Sequence, residues 1–387
     1  MQNFKRLFCS ILLLSFGAVL MNAAYAYDNE VGKSGSTYYW NTNGTQAGTS
    51  SSLTTAINSC MGNNREVHVV TGGSLNGTIT VPAANVKLYC HDNTFTRDFS
   101  GWGIKNRHDG FEVHDMILRG GTNGYGIRSD GGSHIKIMNV QIYDCPWIGI
   151  RVDSKENNPW EAWVSDLEIQ NVRVEDCGDH GIETYSIDGV VMDSIVVRNC
   201  TSCGVLFNLT KNGTIGTINA YNCAWGSGYA GLRYANECTD ITTDKLIADH
   251  CGRGFFIVKS GPSVNCHLNN AEIYECSDIG IWIENGTNCS VKAGCCESGV
   301  SVSGLGSSAD VSKDCEKVGV TCSRAFYHSL SQTDDYSVYS IDGKFIPTIR
   351  GNRDKTNGKQ RSLPSGVYFI KSRRNSGSRK IVVGSYR

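Results

Sequence analysis

The sequence has no second long apolar run. Lys5 and Arg6 precede the apolar stretch Leu7 to Leu20, and the small-x-small tripeptide Ala24-Tyr25-Ala26 follows. That order reads as a secretory signal peptide over 1–26. No later stretch is long and apolar enough to cross a bilayer as a helix. Zinc chemistry is also missing. No CxxC pair recurs at zinc spacing and no cluster of histidines accompanies the thiols, so structural zinc is not expected. Positive charge is scarce in the body of the chain. Tyr27 to Leu330 carries 22 Lys and Arg against 33 Asp and Glu, which argues against nucleic acid as a partner. From Ser331 to Arg387 the balance reverses, 12 against 4, and marks the tail as a separate unit.

What is present is a repeat. Asn171 to Ser186 (NVRVEDCGDHGIETYS) reads as two short strands joined at Cys177, the second launched by Gly181. The same pattern recurs at Asn139 to Ser154, Ser194 to Leu209, Lys245 to Ser260 and Asn270 to Asn285. Cys145, Cys177, Cys200, Cys223, Cys251 and Cys276 mark it, at steps of 32, 23, 23, 28 and 25 residues. Periods of that length with strand-rich units and Gly, Asn and Asp at the corners predict a parallel β-helix. Rungs are expected from Glu66 to about Gly306, in nine or ten turns.

The chain then divides into a signal peptide (1–26), a polar leader or linker (27–51), a β-helix domain (52–325) and a C-terminal domain (326–387). Ser52 to Met61 has Leu53, Ala56, Ile57 and Cys60 at helical spacing. It predicts a short helix, N-capped by Ser51 or Ser52, that covers the open first rung. The marker cysteines stack as small buried residues. Cys60 with Cys90, Cys315 with Cys322, and the adjacent Cys295 and Cys296 are the candidates for disulfides. Two insertions interrupt the period, Lys155 to Trp163 with Trp160 and Trp163, and Ala224 to Ala230. Insertions of this kind often wall a binding cleft.

Side chains alternate along a strand. The residue after each Gly-Ile or Gly-Val therefore points out, as does the one two further on. Stacking the rungs predicts two outward columns. The first is Arg128, Arg151, Glu183, Leu206, Arg233, Phe256, Trp282. The second is Asp130, Asp153, Tyr185, Asn208, Ala235, Val258, Glu284. Asp179 and His180 sit at the corner before them. Arginine, carboxylate, Tyr and His gather in neighbouring rungs, with aromatics beyond, as in a cleft for an extended polymer.

The repeat form Asn-Val-x-Ile-x-x-Cys-x-x-x-Gly-Ile-x-Val, over Glu66 to Gly306, resembles the right-handed parallel β-helix superfamily of carbohydrate-active enzymes. That superfamily includes pectate and alginate lyases, polygalacturonases and uronan epimerases. The resemblance implies an all-β solenoid acting on a polysaccharide. A lyase needs a cation for the substrate carboxylate, a base, and a proton for the leaving oxygen. Arg151 and Arg233 fit the first role, with Arg128 at the end of the row. His180 and Tyr185 fit the proton transfers, and Lys259 is a second candidate base. Glu183, Phe256, Trp282 and Trp160 are candidate substrate contacts. Asp153, Asp179 and Glu183 are placed to hold a Ca²⁺ between protein and substrate.

Other readings stay open. Asp179-His180-Gly181-Ile182-Glu183 is reminiscent of a polygalacturonase strand, but the partner motifs of that family are absent, so its mechanism does not transfer. A hydrolase would need two suitably spaced carboxylates. The Asp-Pro-His motif of the epimerases is absent, and a non-catalytic glycan-binding solenoid remains. The tail has Tyr339-Ser340-Ile341-Asp342-Gly343-Lys344, Leu363-Pro364-Ser365-Gly366-Val367-Tyr368 and Lys380-Ile381-Val382-Val383. It resembles the sorting domain of proteins exported by the type IX secretion system. That implies the type IX machinery as a partner and an extracellular or outer-membrane-surface location in a Gram-negative bacterium. The protein is expected to be a monomer.

Overall fold

The computed structural model describes residues 26–63, 65–154 and 162–315, together with the strands Tyr336–Ser340, Gly366–Ser372 and Arg379–Gly384. The signal-peptide stretch lies outside the described residues apart from Ala26, and so does Trp160. Two compact units divide the chain, Met1–Cys315 and Glu316–Arg387, so the division falls at 316 rather than at the expected 326.

The first unit is a parallel β-helix. One station of each coil is an apolar residue that pairs in parallel register with the same station of the next coil. The series runs Ile79, Ile104, Ile127, Ile150, Ile182, Val205, Leu232, Phe255, Ile281, Val300, which gives about ten turns. Every member but the terminal Val300 is fully buried. Two further faces complete each coil. Ile169, Met192 and Ile215 fill one, and Val174, Val197 and Ala220 the other. The core is therefore a stack of aliphatic residues running the length of the solenoid.

A glycine precedes the inward residue in most coils for a steric reason. A Cβ on Gly181 would stand 2.6 Å from the Gly204 carbonyl oxygen and 3.0 Å from the Val197 side chain. The close approach lets Ile182 N–H reach the Gly204 carbonyl at 2.9 Å. The corner on the far side uses different chemistry. Asp144, Asp176, Asn199, Asn222 and His250 take φ between 50° and 58°, the left-handed region that short polar side chains tolerate best. Asn199 donates to Asp176 at 2.9 Å and Asn222 to Asn199 at 3.0 Å, so the corner side chains bond up the stack. Each is followed by a marker cysteine turned into the core. Cys145, Cys177, Cys200, Cys223 and Cys251 are buried thiols, and Cys276 is half-buried.

The N-terminal end is closed as expected but with more structure than expected. The helix Leu53–Asn63 turns Leu53, Ala56, Ile57, Cys60 and Met61 onto the first rung. Ser52 caps it, its hydroxyl accepting Thr55 N–H at 3.1 Å. The stretch 27–51, expected as a linker, instead carries three antiparallel strands, Glu30–Ser34, Thr37–Thr42 and Thr45–Ser50. Glu30–Ser34 also pairs in parallel with Glu66–Val69 and so begins the solenoid sheet. The glycines read as linker signals serve the strands. Gly32 and Gly48 leave room for the rings of Tyr39 and Trp40 across the sheet.

The disulfide expectations change too. Cys295 bonds Cys315. Cys295 and Cys296 are neighbours on the strand Gly294–Cys296, so they face opposite ways, Cys296 into the core and Cys295 outward. Cys60 and Cys90 are both buried thiols and do not join, and Cys322 lies outside the described residues. In the second unit the three described strands form one antiparallel sheet with Gly366–Ser372 in the centre.

Gly181→Ala is expected to cost about 1–3 kcal/mol of stability through overpacking. Gly62→Ala, on a helix position with open space, is expected to be neutral or slightly stabilising. Urea unfolding followed by far-ultraviolet circular dichroism measures both.

Candidate functional site

The two outward columns are aligned as the repeat predicts. Arg128 pairs in register with Arg151, Arg151 with Glu183, Glu183 with Leu206, Leu206 with Arg233, Arg233 with Phe256 and Phe256 with Trp282. The second column registers from Asp130 through Asp153, Tyr185 and Asn208 to Ala235. Their burial differs from expectation. Arg128 is 6 % exposed, Asp153 1 % and Glu183 5 %, so the upper part of the wall is covered. The Trp102 and Tyr125 rings lie over the Arg128 guanidinium, 5.0 and 4.8 Å from it.

Beneath that cover runs an ionic ladder. Asp153 accepts from Arg128 at 3.0 Å and from Arg151 at 2.7 Å. Arg151 also reaches Glu183 at 3.1 Å. Asn208 donates to the other Glu183 oxygen at 2.8 Å, and Asn236 donates to Asn208 at 3.0 Å. Burial raises the Glu183 and Asp153 carboxyls above the ordinary carboxylate range, with the arginines opposing it. For Arg151 burial works against the charge, but Glu183 and Asp153 outweigh it and leave its pKa raised.

Arg233 stands apart from this ladder. Arg128 and Arg151 each have an aspartate two residues on, Asp130 and Asp153, where Arg233 has Ala235. Its column neighbours are Leu206 and Phe256. Among the described residues it has no carboxylate partner. Its guanidinium lies 5.1 Å from the Tyr229 ring and 5.2 Å from Phe256. The thiol of Cys203 beside it is pushed up to about 12 by burial and is neutral. Here is a half-buried cation held between two rings with its charge uncompensated.

His180 also meets Tyr229, edge-on at 5.5 Å. Cys203 N–H donates to its Nδ1 at 3.0 Å, so the neutral ring carries its proton on Nε2, 3.6 Å from an Asp179 oxygen. Burial lowers its pKa to about 4, Asp179 opposes the shift, and Arg233 and Arg151 add to it. The other Asp179 oxygen accepts Trp147 Nε1–H at 2.7 Å. Tyr185 is half-buried and its phenol is raised by burial and by Glu183.

The predicted site residues thus separate into groups. Arg233, His180, Asp179, Phe256 and Trp282 share one stretch of wall, which Arg253 extends. Arg253 lies 4.5 Å from Phe256 and 4.4 Å from Trp282 and pairs with Asp278 at 2.8 Å. Arg128, Arg151, Glu183 and Asp153 form the ladder, in which Arg128 is buried and Arg151, half-buried, is taken by Asp153 and Glu183. Lys259 is exposed past its strand, where its backbone N–H bonds Glu284 at 2.8 Å, and its side chain makes no contact with His180 or Arg233. Trp163 packs under Lys211 at 4.1 Å, at another corner of the coil. A groove of about 410 Å³ near that corner, lined by His134, Lys136, Asp166 and Glu168, has its charges paired internally.

A Ca²⁺ does not fit the three carboxylates expected to hold it. Asp153 is taken by two arginines, Glu183 by Arg151 and Asn208, and Asp179 by Trp147. No cluster of three or more His, Cys, Asp or Glu suited to a metal occurs among the described residues. Tyr229, Trp147 and Arg253 were not singled out from sequence. The one signal for Tyr229 was its place in the Ala224 to Ala230 insertion.

Residues 125–304 match the family model described as a right handed beta helix region. No curated protein matches. Among solved structures, the enzymatically active domain of tailspike protein 2 from bacteriophage CBA120 is 13% identical at a TM-score of 0.45, over 69% of this chain and 45% of that one. The Dettilon tailspike protein is 13% identical at 0.34, over 67% and 65%. The chain spans less than half the length of the tailspike protein 2 domain, and a likeness this distant transfers no residue and no activity.

Because its folded pKa is depressed, His180 withdraws stability as pH falls from about 6.5, where the unfolded imidazole begins to protonate, to about 4. His180→Gln is expected to flatten the acid limb of stability in that window, read from urea midpoints at stepped pH.

Proposed function

We propose that this right-handed parallel β-helix is a polysaccharide lyase that cleaves a uronate-containing polymer by β-elimination. One observation carries the reading, the uncompensated guanidinium of Arg233, clamped between Tyr229 and Phe256 beside His180. An arginine in a partly desolvated wall is suited to a planar carboxylate. Neutralising the uronate carboxylate acidifies the adjacent C5–H bond, and the charge that develops in the transition state falls on a group already in place.

Asp179 is assigned as the base. Of the carboxylates near His180 it is the one not tied to an arginine, and its side chain is 26% exposed. His180 has its Nδ1 lone pair engaged by Cys203, so it serves as a positioning residue with Nε2–H toward Asp179. Asp179 takes the C5 proton, and the C–H electron pair becomes the C4–C5 double bond. The C4–O bond breaks with its pair on the leaving oxygen. Tyr185, a phenol and so protonated at neutral pH, is assigned to give that oxygen its proton. No step requires a metal from these residues. Hydrolysis is the weaker alternative, because Glu183 and Asp153 are buried and held by arginines and Asp278, the exposed carboxylate further along the wall, is paired with Arg253.

In this reading the protein works outside the cell or on the outer-membrane surface, as a monomer, with the leader 1–26 removed on export. The tail is proposed to address it to the type IX secretion machinery. The support is the motif set in the sequence, whose segments around Tyr339, Val367 and Ile381 fall on three antiparallel strands.

Incubation of the mature protein with polygalacturonate or alginate is expected to release unsaturated product absorbing in the ultraviolet, with or without chelator. Arg233→Ala and Asp179→Asn are each expected to lower turnover by about 10²–10³. Reducing ends without that absorbance would assign hydrolysis instead, and full activity in both variants would remove the site from the reaction.

A further inference from the structure

The corner column two residues before the glycines from Gly103 to Gly254 reads Gly101, Gly124, Trp147, Asp179, Ser202, Tyr229, Gly252, and Asp278 follows on the next coil. Its members bond from coil to coil. Asp179 N–H reaches the Trp147 carbonyl at 3.2 Å and Ser202 N–H the Asp179 carbonyl at 3.3 Å, while Gly204 N–H reaches Ala230 at 3.0 Å and aligns Ser202 with Tyr229. Only two of the seven are large, and both stay in solvent. Trp147 is 42% exposed and Tyr229 37%. Trp225, on the insertion that ends at Ala230, is 53% exposed and lies against His250. Between the two rings lie the shorter Asp179 and Ser202.

The profile is a trough along the helix axis with an aromatic post at each end. Three coil steps at about 4.8 Å set the posts about 14 Å apart. Two groups along it are unspent. Ser202 makes no side-chain hydrogen bond, and Arg233, beneath Tyr229, has no carboxylate partner among the described residues. At the far end Asp179 holds Trp147 upright through its indole N–H.

We infer that Trp147 and Tyr229 are the end posts of a binding trough for a short run of sugar rings lying along the solenoid axis, with a carboxylate-bearing sugar at the Tyr229–Arg233 end. The Trp147 end takes its sugar by stacking on the indole, and Asp179 and Ser202, on the two coils between the posts, face the stretch that joins it to the carboxylate-bearing sugar. This rests on the polysaccharide reading of the site but not on the elimination step. The trough therefore selects ligand by length as well as by charge. A fragment too short to reach both posts uses only the cationic end.

The test is binding, measured by isothermal titration calorimetry on the intact protein with oligogalacturonates and oligomannuronates of two to six residues. Affinity for one series is expected to climb between about two and four residues, the span of the posts, and then level off. Trp147→Ala is expected to weaken the four-residue ligand by about tenfold and the two-residue ligand hardly at all. Trp147→Phe restores most of the loss, with circular dichroism confirming that each variant folds. Tyr229→Ala is expected to weaken both lengths. Affinity independent of length, a Trp147→Ala variant that binds like the parent, or no binding of either series would overturn the trough. Turnover is scored separately. Length-dependent binding without unsaturated product keeps the trough and removes the lyase, and elimination with unaltered binding in both post variants does the reverse.

Discussion

Parallel stacking in register is the constraint from which the rest follows. Each coil pairs with the next through its backbone, so residues at one station are held about 4.8 Å apart whatever their chemistry. Like must then sit on like. Aliphatics do this at a profit of buried area, and asparagines do it by donating up the stack, as Asn222 does to Asn199. Charges cannot. Arg128 lies directly over Arg151, and Asp130 over Asp153. The structure resolves the repulsion sideways, with Asp153 bonding both arginines and Arg151 passing on to Glu183. The ladder is buried, so every member depends on the others for its charge to be tolerated.

The same constraint locates the candidate site by its failure. In two coils the sequence supplies Arg-x-Asp, and in the coil of Arg233 it supplies Arg-x-Ala. The guanidinium loses its lateral partner and takes ring faces instead, which compensate a cation only in part. A neutral His180 lies edge-on to Tyr229, the exposed one of those two rings, and beside Asp179.

Much of this was legible in the repeat, and the misses have physical causes. The columns came out in register because a cysteine marks most of these coils and a glycine every one from Gly126 to Gly280, and marking two points per turn resists a slip. Their burial did not come out, because Trp102 and Tyr125, each just before its glycine, reach over Arg128 from the corner, which alternation along one strand does not describe. The stretch 27–51 looked like a linker because its glycines are turn signals by composition. In the sheet, Gly32 and Gly48 are seats for Tyr39 and Trp40. Cys295 and Cys296 were weighed together, yet a strand turns neighbours to opposite faces, and only Cys295 is free to meet Cys315.

By itself the sequence determined the architecture, the turn count, the capping helix and which side chains share a column. Periodic chemistry repeated at a fixed step has one compact way to bury itself, and that way dictates register. The tertiary structure alone decided which charges are spent and which remain. Whether an arginine finds an aspartate depends on side-chain reach between coils and on the rings that cover it. Those distances separate Arg151, consumed within the fold, from Arg233, which has no carboxylate partner among the described residues.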